Sequence, residues 1–137
     1  MSIRFITDEN IGGVGKALVQ VRDDVTYFSD PGSTRRSRPS CPVTLGMKDE
    51  EWLPIVGRMN WIVLTRDKHI RTRPGEIAAV KEHGIKLFAI TSDGELSRWE
   101  QLRLLVRKWD RIEQLAARPG PMICSVTSSS VTPLDLG

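Results

Sequence analysis

Long apolar runs are missing from this 137-residue chain, and so is a charged N-terminus followed by an apolar stretch. Neither a membrane-spanning helix nor a secretory leader is therefore expected. Cysteine is scarce. Cys41 and Cys124 stand alone and show no metal-ligand spacing. Reduced structural thiols in a cytoplasmic protein are expected rather than a disulfide. Histidine is as rare, with two residues, and no internal repeat is found. Charge of one sign is not in large excess either: a net +3 permits a polyanionic partner without demanding one. What is present is ordinary for a globular protein, with 39% hydrophobic and 27% charged residues. The length suits one domain over residues 1–137, with 129–137 read as a frayed tail.

Strand-like and helix-like segments alternate. Ile3–Thr7, Val25–Phe28, Trp61–Thr65 and Lys86–Thr91 are short runs of strand formers. Helical spacing is seen in Ile11–Val21, with Val14, Leu18 and Val21 on one face, and again from Asp49, with Trp52, Ile55, Val56 and Met59. A further helix is expected over Gly75–His83, stopped by Gly84. The longest helix is Leu96–Ala117, where Leu96, Trp99, Leu102, Leu105, Val106, Trp109, Ile112 and Leu115 form an apolar stripe. Trp52, Trp99 and Trp109 are therefore read as core. Residues 29–46 collect Ser, Pro, Gly and Arg without periodicity and read as a long loop, and Met122–Ser129 reads as a late edge strand. This β-α alternation predicts an α/β fold whose mainly parallel central sheet is covered by helices on both faces.

Two of the strands end in acid: Phe5-Ile6-Thr7-Asp8-Glu9-Asn10 and Val63-Leu64-Thr65-Arg66-Asp67. A parallel sheet binds ligands beyond its C-terminal strand ends. Carboxylates collected there repel one another unless a hard divalent cation neutralises them. Asp8, Asp67 and Asp49, at the start of its helix, are thus candidate catalytic and metal-binding residues for a hard divalent cation such as Mg²⁺. Plainer readings stand beside this one: Asp49 and Asp8 as helix caps, Asp67 as a solvated turn. Their joint occurrence at two strand ends carries more than any single position. Arg66-Asp67-Lys68-His69-Ile70-Arg71-Thr72-Arg73 rings the third acid with base, which suits a phosphodiester substrate. Asn10, Arg66, Lys68, His69, Arg71 and Arg73 are the candidate substrate contacts. Lys68, Arg71 and Arg73 are expected to hold substrate phosphates rather than metal, or else to be solvated charge. A second basic cluster, Arg35-Arg36-x-Arg38, is either a substrate clamp or idle.

Gly12-Gly13-Val14-Gly15-Lys16-Ala17 imitates a phosphate-binding loop. That motif needs glycine where Asn10 stands and a hydroxyl where Ala17 stands, so a nucleotide-hydrolysing reading is set aside.

Taken in order, Phe5–Asn10, Asp49-Glu50-Glu51-Trp52-Leu53-Pro54 and Val63–Lys68 resemble the PIN-like domain family, and within it VapC-type toxins of bacterial toxin–antitoxin pairs. Trp99-Glu100-x-Leu102, Trp109-Asp110-x-Ile112 and Gly120-Pro121 extend the likeness. The resemblance implies a three-layer α/β/α sandwich and a Mg²⁺- or Mn²⁺-dependent endoribonuclease with acids at Asp8, Asp49 and Asp67. It also implies a cognate VapB-like antitoxin and toxin homodimers. Many relatives carry one more aspartate two places after the third acid, where this chain has His69; Glu9 and Glu76 are the candidates to replace it. The alternative is a PIN-like protein-binding module whose acids no longer act.

Overall fold

Residues 2–137 are described by the computed structural model. Six strands form one sheet: β1 (Phe5–Thr7), β2 (Val25–Tyr27), β3 (Ile62–Arg66), β4 (Lys86–Ile90), β5 (Met122–Val126) and β6 (Val131–Pro133). They lie in the order β2-β1-β3-β4-β5-β6, parallel throughout except for β6, which returns antiparallel along β5. Four helices connect them: α1 (Gly12–Val19), α2 (Asp49–Met59), α3 (Pro74–His83) and α4 (Arg98–Ala116).

Alternation along each strand explains the layers. Phe5, Leu64, Phe88 and Cys124 point into a core shared with α1 and α4. Their neighbours Ile6, Val63, Leu87 and Ile123 point into a second core shared with α2 and α3. Both faces of a parallel sheet are covered, so its strands read as continuous apolar runs rather than alternating ones. The result is the α/β/α sandwich expected from the sequence. Gly15 lets α1 approach the sheet: a Cβ there would come within 2.1 Å of Thr7 Oγ1 and 2.9 Å of Tyr27 Cβ. The glycine-rich stretch thus serves close helix–sheet contact.

Several expectations are corrected. Residues 129–137 do not simply fray, because Val131–Pro133 pairs with β5, and β5 is consequently not an edge strand. Val21 lies beyond α1 and is 79% exposed, with Val19 buried in its place. Trp99 and Val106 are 66% and 57% exposed; α4 needs only Leu105, Trp109, Ile112 and Leu115 to fill its side of the core. Cys41 and Cys124 are both free and buried in different cores. Burial pushes the Cys124 thiol up to about 11, so it behaves as an apolar filler. Among the described residues no helix is long and apolar enough to cross a membrane.

Strand order places the functional edge. α1 leaves β1 on one face and α3 leaves β3 on the other, and β1 and β3 are neighbours. A crevice opens at such a switch point, outside the C-terminal strand ends.

Candidate active site

Asp8 and Asp67 sit one residue past β1 and β3, held there by extensions of the ladder. The Asp8 N–H donates to the Leu64 carbonyl at 2.9 Å, and the Asp67 N–H donates to that of Ile90 at 3.1 Å. Asp49 opens α2 as its first helical residue rather than as its cap, which is Lys48. All three line one cavity of about 290 Å³ at the β1/β3 switch point. Glu76, in the first turn of α3, lines the same cavity.

Each of the three aspartates has its own tether. The Thr65 hydroxyl lies 3.1 Å from Asp8 Oδ2 and 3.2 Å from Asn10 Oδ1, and having one proton it donates to only one at a time. Asp8 Oδ1 also accepts from the Glu9 N–H at 2.7 Å, so the capping reading of Asp8 is partly right. Trp52 donates its indole N–H to Asp49 Oδ1 at 3.0 Å while its ring packs edge-on against Phe28. A core tryptophan thereby orients an acid. Asp67 accepts from the His69 N–H at 2.9 Å and pairs with the Arg73 guanidinium at 2.7 Å.

Burial pushes the Asp8 carboxyl above the usual range, opposed by the Thr65 and Glu9 hydrogen bonds and assisted by the nearby charge of Asp49. Glu76 is raised too, first by burial, then by Asp67 and Asp49, with Arg73 opposing. Four acids and two guanidiniums, those of Arg66 and Arg73, line the cavity, leaving a surplus of two negative charges.

This chemistry suits a hard divalent cation. The ionisable donors are carboxylate oxygens, with no thiol or imidazole in the lining, as Mg²⁺ and Mn²⁺ prefer. Among the described residues no group of three acidic, histidine or cysteine side chains is placed as it stands to hold a metal ion. In this arrangement Asp67 is turned to Arg73 and Asp49 to Trp52. Residues that would hold an ion are Asp8, Asp49 and Asp67, with Glu76 beside them.

Of the expected substrate contacts, Asn10, Arg66 and Arg73 line the acidic cavity. Lys68 and His69 line a shallower groove beside it together with Glu95, with Arg66, Asp67 and Arg73 on the shared wall. Arg71 is exposed and lines neither. Arg66 is largely committed to structure, donating to the Ile90 carbonyl at 3.0 Å and the Gly94 carbonyl at 2.7 Å. The Asn10 amide likewise donates to the Arg66 carbonyl at 2.7 Å and ties the two strand ends together. Two of the three arginines in the basic cluster of the 29–46 loop are committed to structure. Buried Arg38 pairs with buried Asp30 at 2.6 Å and donates to the Val25 carbonyl at 2.8 Å, and Arg36 donates to the Val19 carbonyl at 2.7 Å. Glu9 faces a different cavity. Sequence reasoning passed over Thr65 and Trp52 as tethers. A strand-end threonine and a tryptophan three residues after an acid were the signals available.

A family model described as a PIN like domain matches residues 3–92. The matched segment contains all four acids and ends after β4, so α4, β5 and β6 lie outside it. No curated protein and no solved structure matches the chain.

Proposed function

The chain belongs to the PIN-like domain family, and from that premise we propose that it is a divalent-metal-dependent endoribonuclease, the toxin of a toxin–antitoxin pair. One observation carries the reading: Asp8, Asp49 and Asp67, from three separate elements, line one cavity at the sheet's switch point, with a groove bearing Lys68, His69 and Arg73 alongside. When bound, Mg²⁺ or Mn²⁺ would supply Lewis acidity toward a phosphate oxygen and a coordinated water more acidic than bulk water. The chain's own residues do the rest. Asp8, steadied by Thr65, and Asp49, steadied by Trp52, present oxygens at fixed positions. Holding groups in place before reaction lowers the cost of reaching the transition state. Lys68 and His69 lie where an RNA strand leaving the cavity would pass, and Arg73 spans both spaces. The charges of Lys68 and Arg73 position phosphates without reading bases.

A VapB-like antitoxin and a toxin homodimer complete the proposal. The partner silences the nuclease by covering this groove or by adding a cation among the acids. Purified protein incubated with single-stranded RNA and Mg²⁺ or Mn²⁺ should cleave it, chelator should stop it, and the partner encoded by the neighbouring reading frame should inhibit it. Cleavage that persists in chelator would refute the metal-dependent mechanism. A second reading, a protein-binding module with silent acids, draws on the Arg73–Asp67 pair, which already neutralises one acid. Binding of metal without any cleavage would favour it.

A further inference from the structure

We infer that Glu76 is a direct ligand of the divalent ion, taking the part of the acid that His69 displaces; the inference rests on the metal-site reading above. Position 69 is unable to serve, because His69 lines the neighbouring groove and not the acidic cavity. Glu76 approaches from a different element, in the first turn of α3, and lines the cavity with Asp8, Asp49 and Asp67. It differs from them in having no tether. Asp8 has Thr65, Asp49 has Trp52 and Asp67 has Arg73, whereas no hydrogen bond or ion pair engages the Glu76 carboxylate among the described residues.

An acid in the first turn of a helix gains from the helix dipole wherever its side chain points. The dipole therefore does not explain why this side chain is half-buried in a cavity where Asp8, Asp49 and Asp67 outnumber the guanidiniums of Arg66 and Arg73, rather than turned to water. A cation in the cavity does. Glu76 has three rotatable bonds and no partner to leave, so it closes on an ion at little cost. Asp67 must first release Arg73.

The test is Mn²⁺ binding by titration calorimetry on the metal-free protein, which requires no catalysis. Glu76→Gln should weaken Mn²⁺ at least tenfold, and Glu76→Asp, which keeps the charge but withdraws the oxygens by one methylene, should weaken it as well. Glu9→Gln, outside the cavity, should leave the affinity unchanged. Wild-type affinity in Glu76→Gln would overturn the inference. So would loss in Glu76→Gln with full retention in Glu76→Asp, because that pattern belongs to a charge acting at a distance. Asp8→Asn separates the two levels. If it abolishes binding while Glu76→Gln does not, only the role of Glu76 falls; if neither variant affects binding, or wild type binds no Mn²⁺, the cavity is not the metal site. Thermal melts without metal confirm that each variant is folded.

Discussion

Arg73 is the residue for which sequence and structure predict opposite outcomes. Read from the sequence it is a phosphate contact whose loss leaves metal affinity unmoved. Yet its guanidinium lies 2.7 Å from Asp67 Oδ2, so an ion coordinated by Asp67 has to compete with it. Two unit charges about 4 Å apart interact by roughly 1 kcal/mol in water and roughly 4 kcal/mol at an effective dielectric constant near 20. The Asp67 side chain is only 14% exposed, but that of Arg73 is 47% exposed, so solvent screening puts the pair at the low end, about 1 kcal/mol. Arg73→Ala should therefore lower the metal-free melting temperature by about 3 °C. The same energy no longer has to be overcome when metal binds, so Mn²⁺ affinity should rise about fivefold. Removing a positive charge beside the ion acts in the same direction. RNA binding should move the other way: measured in Ca²⁺ to hold back cleavage, it should weaken, and its salt slope should flatten by about 0.7 for one lost phosphate contact. Calorimetry with Mn²⁺ and melts with and without metal decide the matter. Unchanged or weaker Mn²⁺ binding in Arg73→Ala would refute the reasoning.

Three other outcomes follow from the geometry. Asp8→Asn should abolish cleavage and yet leave the metal-free protein as stable as wild type or more so, because it removes a half-buried charge that repels Asp49; chemical denaturation gives the comparison. The Glu76 carboxyl is raised above its ordinary 4.5 in the folded state, so over the window from there upward the native protein holds a proton that the unfolded chain has released. Stability from this group is therefore present below about pH 4.5 and lost as pH rises through the folded value, and metal-free Glu76→Gln should match wild type in acid and exceed it increasingly toward neutrality in pH-dependent melts. Arg38→Ala should cost about 3–5 kcal/mol in urea unfolding, because it leaves Asp30 charged and buried, and a cost below 1 kcal/mol would show that the 29–46 loop does not depend on that pair.

The strands were legible because a sheet covered on both sides asks each strand for an unbroken apolar run, and Ile62–Leu64 or Leu87–Ile90 supply one. Asp8 and Asp67 were legible for a related reason. An acid directly after such a run has one place to go, the C-terminal edge of the sheet. Periodicity was a poorer guide to the width of a buried face. It joined Trp99 and Val106 to the stripe of α4, although the sheet covers only the arc around Leu105, Trp109 and Ile112. Glu76 was named from the sequence as a candidate without a reason to choose it. It lies on a helix whose apolar signal is weak, and what brings it to Asp8 is the crossover of α3, a through-space relation no local pattern encodes. The pairing of Arg73 with Asp67 was hidden in the same way. Four basic residues in the eight from Arg66 to Arg73 look like substrate-binding charge until the chain's turn after β3 folds one of them back onto the acid.

The claim on which all of this depends is that the cavity between the ends of β1 and β3 is a metal centre. Crystals of the protein soaked in Mn²⁺ and measured at the manganese absorption edge would test it most directly. The account predicts an anomalous peak bounded by Asp8, Asp49 and Glu76, with Asp67 turned toward it and Arg73 displaced. A peak elsewhere on the molecule, or none at a Mn²⁺ concentration that saturates calorimetric binding, would contradict it.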